Sequence, residues 1–230
     1  MSKIRYCQLL GERCSGTNYL AQLIKKNFGL EITIKFGHKH FFGHHNYANS
    51  DDTLFISIIR DPIEWLGSFY ENPFHLAEHL RTDWMSFLQE EFWSYHDPYD
   101  QHIEIEEDHN MYNGMRYQNI FEVRSVKCQF MLYDMPNRVK NYIVIIYEDL
   151  LDNFQTTLDC IAKKFGFPHS HAYINTDNYK DSQTVKYTPK NYREKIPPPI
   201  LKYILEHLDL DLERRIKALS MGENSFLQST

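Results

Sequence analysis

Along the chain, short apolar runs alternate with stretches in which apolar residues recur every three or four positions, predicting strands that feed helices. Residues 4–10 read as a buried strand, after which Leu20, Leu23, Ile24 and Phe28 fall on one face of a helix. Residues 31–36 alternate polar and apolar and are rich in β-branched side chains, predicting a second strand. Residues 53–59 form the clearest buried strand, and Asp61-Pro62 then supplies a helix cap and a first-turn proline. Helical spacing returns over 80–95 and 115–135, and a last strand is predicted at 142–146. A helix follows at about 153–165, stopped by Gly166 and Pro168, and the helical C-terminal part covers about 197–219.

Strands alternating with helices predict an α/β fold of three layers, a mainly parallel central sheet flanked by helices with right-handed crossovers. The 230 residues suit a single domain. In such sheets ligands gather at the carboxyl ends of the strands. Residues 96–114 carry six carboxylates, among them Glu104 and Asp108, and no lysine or arginine, so they are expected to form a solvated loop or lid. Arg124 and Lys127, three apart on a helix, read as a surface pair.

Charge and composition narrow the partners. A net charge of -6 provides no global attraction to nucleic acid or an anionic membrane, so a polyanion would need a local basic pocket. No stretch is apolar enough to span a bilayer, and the first residues lack the apolar core of a signal peptide. Cys7, Cys14, Cys128 and Cys160 show no CxxC spacing, and no N-glycosylation sequon occurs; a cytoplasmic protein with free thiols is expected.

The chemistry concentrates at strand ends. Between the first strand and its helix lies Gly11-Glu12-Arg13-Cys14-Ser15-Gly16-Thr17-Asn18, a glycine loop feeding a helix start and thus a cradle for a phosphate-like anion. The Gly11-to-Gly16 spacing is that of a nucleotide P-loop, but Thr17 and Asn18 stand where lysine and Ser/Thr would follow, which disfavours ATP hydrolysis. Arg60 closes the third predicted strand, and Tyr147-Glu148-Asp149-Leu150 closes the last. After the second strand come four histidines in eight positions, His38, His40, His44 and His45.

These residues resemble the motifs of the PAPS-dependent sulfotransferases. Arg13 to Asn18 is similar to the loop those enzymes wrap around the 5′-phosphosulfate. Arg60 at a strand end, with Ser68 eight residues on, resembles their 3′-phosphate clamp, and Tyr147 their strand-end tyrosine near the adenine. The resemblance spans residues 4 to about 166 and implies a P-loop NTPase-like topology and sulfuryl transfer from 3′-phosphoadenosine 5′-phosphosulfate (PAPS) to an acceptor, with no metal required. It implies Arg13, Cys14, Ser15, Gly16, Thr17, Asn18, Arg60, Ser68 and Tyr147 as donor-binding residues. Cys14 stands where the family usually carries a basic residue, so Lys39 or Lys35 could replace Arg13 as the cation. For the C-terminal grip on the 3′-phosphate, Lys186 and Lys190 are candidates.

In-line displacement at sulfur needs a base for the acceptor proton and positive charge where the leaving oxygen develops. His40 is the favoured base and His38 the second, with Lys39 stabilising charge. The acceptor, a small molecule, glycan or peptide, is not readable, although the acidic chain disfavours a heavily sulfated polysaccharide. Three other readings stand beside this one: a histidine metal site, a P-loop kinase and a non-catalytic nucleotide-binding module.

Overall fold

The computed structural model describes residues 3–97, 100–176, 188 and 190–220, so the candidate Lys186 lies outside the described residues. Its core is a four-stranded parallel sheet in the order β2-β1-β3-β6, formed by β1 (Tyr6–Leu10), β2 (Glu31–Ile32), β3 (Thr53–Ile59) and β6 (Tyr142–Ile146). Between β3 and β6 in the chain, β4 (Tyr95–Asp97) and β5 (Asp100–Glu104) make a separate antiparallel hairpin. β3 is buried along its whole length, which explains its unbroken apolar sequence.

The pleat sorts the strand side chains between two faces. On one face Leu9, Leu54, Ile56, Ile58, Ile143 and Ile145 meet Leu20, Leu23 and Ile24 of α1 (Thr17–Phe28), along with Leu158 and Ile161 of α7 (Phe154–Phe165). On the other, Leu10, Phe55, Ile59 and Tyr142 meet Phe130, Met131 and Met135, together with Leu212 and Ile216 of α9 (Leu210–Ser220). The sheet is therefore covered on both faces, as its alternating pattern predicts. A third apolar cluster joins α2 (Pro62–Glu71), α3 (Trp84–Gln89), α4 (Ile120–Gln129) and α8 (Pro198–His207) beyond the sheet edge. Among the described residues no helix is long and apolar enough to cross a membrane.

Four segments depart from the sequence reading. Of the helical stretch expected over 80–95, only α3 (Trp84–Gln89) is α-helix, and Tyr95 already belongs to β4. The second strand stops at Ile32: Ile34 is 71% exposed, so the polar–apolar alternation through residue 36 buries no face there. The 115–135 helix starts only at Ile120, where Asn119 caps the Phe121 and Glu122 N–H groups, and it widens into a π turn over Phe130–Asp134 before α5 (Met135–Arg138). The stretch expected as a solvated lid contains the β4–β5 hairpin and a 3₁₀ turn, Glu106–Asp108, whose last residue is fully buried.

The strand order sets the site. β1 pairs with β2 on one side and β3 on the other, with Leu10 opposite Ser57, and Ile59 lies opposite Ile146. The chain leaves β1 toward α1 on one face, and the β3–β6 connection runs through α4 and α5 on the other. The carboxyl ends of β1 and β3 consequently flank the topological switch point, where the connections diverge and where open α/β sheets bind their ligands.

Candidate functional site

The loop after β1 is drawn tight by its own backbone. The Gly11 N–H donates to the Lys39 carbonyl (3.0 Å), and the Ser15 N–H and hydroxyl both donate to the Glu12 carbonyl (3.2 and 2.6 Å). Cys14 adopts a left-handed conformation (φ 64°), as does Gly16 (φ 93°). At Gly16 only glycine fits, because a Cβ would lie 2.3 Å from the Tyr147 ring as well as in an unfavourable φ region. α1 then begins at Thr17 with no side-chain cap and no acidic residue in its first turn. Its leading N–H groups and the positive end of its dipole are thus left for an anion. Lys39, from the segment after β2, reaches this turn and donates to the Asn18 side-chain oxygen.

Arg60 enters from β3, where its position just past the strand end carries it under the loop. Its Nη1 donates to the Cys14 carbonyl (2.9 Å), and its guanidinium carbon lies 4.9 Å from the Tyr147 ring centre and 5.6 Å from that of Tyr192. The nearest carboxylate, Glu64, is 3.9 Å from Nη2, and Nε is buried without a hydrogen-bond partner. Ser68, nearly two turns into α2, shares a hydrogen bond with Tyr192, whose main chain is held by Glu64 (3.0 Å). Asp61 accepts from the Ile63 and Glu64 N–H groups as the α2 cap, while its own N–H donates to Glu148 (3.0 Å). Burial raises Glu148 above the usual carboxylate range. Arg60, Ser68, Tyr147 and the loop are therefore brought together at one edge, and Tyr192 joins them without a sequence signal of its own. Lys190 is instead 2.6 Å from Glu71.

His40 lies on the opposite flank of the loop. Its Nδ1 is 2.6 Å from the Gly11 carbonyl, which can only accept, so Nδ1 carries the proton and the Nε2 lone pair is available. Burial, reinforced by the Lys39 charge, holds this imidazole well below its ordinary pKa and therefore neutral. The His38 ring centre is 5.2 Å away, and its Nδ1 accepts from the His40 N–H (3.3 Å). Burial and Lys39 push His38 down to about 4. His44 is exposed and the His45 ring packs on Gly37, so neither joins this pair.

Arg13 turns away from the cradle. Its guanidinium donates to Asp108 (2.8 Å), the Ser94 hydroxyl (2.8 Å) and the Phe74 carbonyl (3.1 Å), between the rings of Phe69 and Phe92. The charge that the loop sequence leads one to expect from Arg13 is thus spent inside the protein, and Lys39 is the cation found at the first turn of α1.

Arg124 and Lys127 are also buried, contrary to their reading as a surface pair. Arg124 donates to both carboxylate oxygens of Glu213 on α9 (2.7 and 3.0 Å) and to Glu12 in the loop (3.3 Å). Lys127 meets Asp108 (2.5 Å) and the His40 carbonyl (3.0 Å). Sequence reasoning missed Asp108, Glu12, Glu213 and Tyr192, whose partners lie far off in the chain. No family model matches this chain, and no curated protein matches it.

Proposed function

We propose that this protein is a sulfotransferase of P-loop-like fold that moves a sulfuryl group from PAPS to a hydroxyl or amine acceptor. The observation that carries the reading is the convergence of three strand-end motifs: Arg60 bonds the Cys14 carbonyl at 2.9 Å, and the Tyr147 ring closes over Gly16. On this reading the loop from Cys14 and the start of α1 bind the 5′-phosphosulfate through backbone N–H groups. Lys39, tethered to Asn18, supplies positive charge to the leaving oxygen. The spare Nε of Arg60, with Ser68, fits the 3′-phosphate, and the Tyr147 and Tyr192 faces suit the adenosine.

The acceptor oxygen or nitrogen forms a bond to sulfur as the bond from sulfur to the bridging phosphate oxygen breaks. Adenosine 3′,5′-bisphosphate departs, and the acceptor proton passes to His40 Nε2. The locked tautomer and lowered pKa of His40 keep that nitrogen unprotonated at neutral pH. Cytoplasmic residence belongs to the same reading.

The test is transfer of labelled sulfuryl from PAPS to a panel of small-molecule, glycan and peptide acceptors in magnesium-free buffer. Transfer is expected, with His40→Ala lowering kcat by about 10²–10⁴-fold, the usual contribution of a positioned base, while affinity for the bisphosphate is kept. Tight bisphosphate binding with no transfer to any acceptor would favour a non-catalytic nucleotide-binding module. A requirement for ATP and magnesium would favour a kinase.

A further inference from the structure

Among the described residues, a cluster of buried charge, Glu12, Arg13, Asp108, Arg124 and Lys127, lies behind the loop. Asp108 is fully buried and its two oxygens divide their partners. Oδ2 accepts from Arg13 Nη2 (2.8 Å) and the Ser94 hydroxyl (2.6 Å), and Oδ1 accepts from Lys127 Nζ (2.5 Å). Arg13 alone neutralises Asp108, so a second buried cation adds desolvation cost without being needed for that charge. Part of its charge is used by Glu12, whose carboxylate it favours across the interior. What the particular placement of Lys127 adds is its second hydrogen bond, to the His40 carbonyl (3.0 Å).

Followed around, the bonds close a ring. The Gly11 carbonyl accepts from the His40 imidazole (2.6 Å), the His40 carbonyl accepts from Lys127, Lys127 meets Asp108, and Asp108 holds Arg13, two residues after Gly11. The Gly11 N–H to Lys39 carbonyl bond (3.0 Å) braces the same ring from within. His40 is therefore gripped at its ring and at its main chain, and both grips are referred to the anion loop.

We propose that Lys127, aimed by Asp108, is a positioning residue for His40: it fixes the His40 main chain so that Nδ1–H stays on the Gly11 carbonyl and Nε2 stays open beside the loop. The proposal rests on the reading of His40 as the base. The geometric part, the hold on the imidazole, is testable by itself.

The experiment uses the full chain with Lys127→Met, which keeps the side-chain stem, removes the donor and leaves the neutral Arg13–Asp108 pair. Long-range 1H–15N spectra of histidine-labelled protein at neutral pH report the tautomer. Wild type should show His40 as Nδ1–H alone, and K127M should show a mixture with Nε2–H. In turnover, K127M should lower kcat by about 10²-fold, the scale expected when a reacting group moves by about 1 Å, with the donor KM within about twofold. Lys127→Gln, polar but too short to span the gap, should act in the same direction if K127M does not fold. A folded variant with the wild-type His40 tautomer, or with unchanged kcat, would overturn the proposal. If wild type binds no adenosine 3′,5′-bisphosphate, the sulfotransferase reading fails, while the imidazole spectra still decide whether Lys127 holds His40.

Discussion

Arg13 and Arg60 stand on either side of one loop, both almost wholly buried, and they are used in opposite ways. Arg13 has a carboxylate, a hydroxyl and a carbonyl as acceptors, and the rings of Phe41, Phe69 and Phe92 surround its guanidinium. Among the described residues, Arg60 has one close acceptor, a carboxylate at 3.9 Å, an Nε with no hydrogen-bond partner, and tyrosine faces around it. A buried donor left unmet costs free energy unless a ligand meets it. The contrast teaches that burial of an arginine says little about its role; the inventory of its acceptors says more. Arg13 joins the loop to the interior, and Arg60 is the cation equipped to receive an anion beside an uncapped helix start.

The contrast breaks most visibly in stability. Arg13→Ala leaves Asp108 paired with Lys127, but it removes the buried guanidinium's hydrogen bonds to Asp108, Ser94 and the Phe74 carbonyl and its packing between Phe69 and Phe92, where each hydrogen bond to a charged group is worth about 1.5–3 kcal/mol. Urea denaturation should therefore show Arg13→Ala to be destabilised by several kcal/mol more than Arg60→Ala. The reverse order would dissolve the distinction between the two arginines.

A smaller effect separates the halves by pH. Burial pushes the Glu12 carboxyl up to about 7, against the opposing pull of Arg124 and Lys127. The folded state then binds the Glu12 proton more tightly than the unfolded chain, whose glutamate titrates near 4.5. Stability contributed by this group is fully present below pH 4.5 and is lost as pH rises through about 7, on the order of 3 kcal/mol in all. His38, pushed down to about 4, acts with the opposite sign, destabilising the fold as pH falls from about 6.5 toward 4. The pH dependence of stability in wild type minus that in Glu12→Gln isolates the Glu12 part. A difference that does not fall between pH 4.5 and 7 would contradict the burial of an uncompensated Glu12 oxygen.

How far this could be read from sequence depends on where each residue finds its partner. β3 and β6 are legible because a fully covered parallel strand must be apolar almost throughout, and both lie where their runs predict. Arg60 and Tyr147 are legible because each directly follows such a strand, and adjacency in the sheet does the rest. The direction of Arg13 is not legible: it follows from the backbone turn at Cys14, a left-handed conformation that a non-glycine residue seldom adopts. Asp108 looks solvated because its own neighbourhood holds no lysine or arginine, yet Arg13 lies 95 residues away in sequence and Lys127 19. Arg124 and Lys127 share a helix face whose burial is decided by α9 and by the segment around Asp108, neither of which local spacing encodes. Buried ion pairs built from distant segments leave no periodic trace.

On the proposed reading, Arg60 and the start of α1 form a metal-independent site for a nucleotide bearing phosphates at both ends of its ribose. Calorimetric titration of adenosine 3′,5′-bisphosphate beside ATP-magnesium, on wild type and Arg60→Ala, tests it most directly. Tight binding of the bisphosphate without magnesium is expected, weakened by about 10- to 150-fold in Arg60→Ala, the scale of hydrogen bonds to a charged group. No binding of the bisphosphate, a preference for ATP-magnesium, or equal affinity in Arg60→Ala would contradict it.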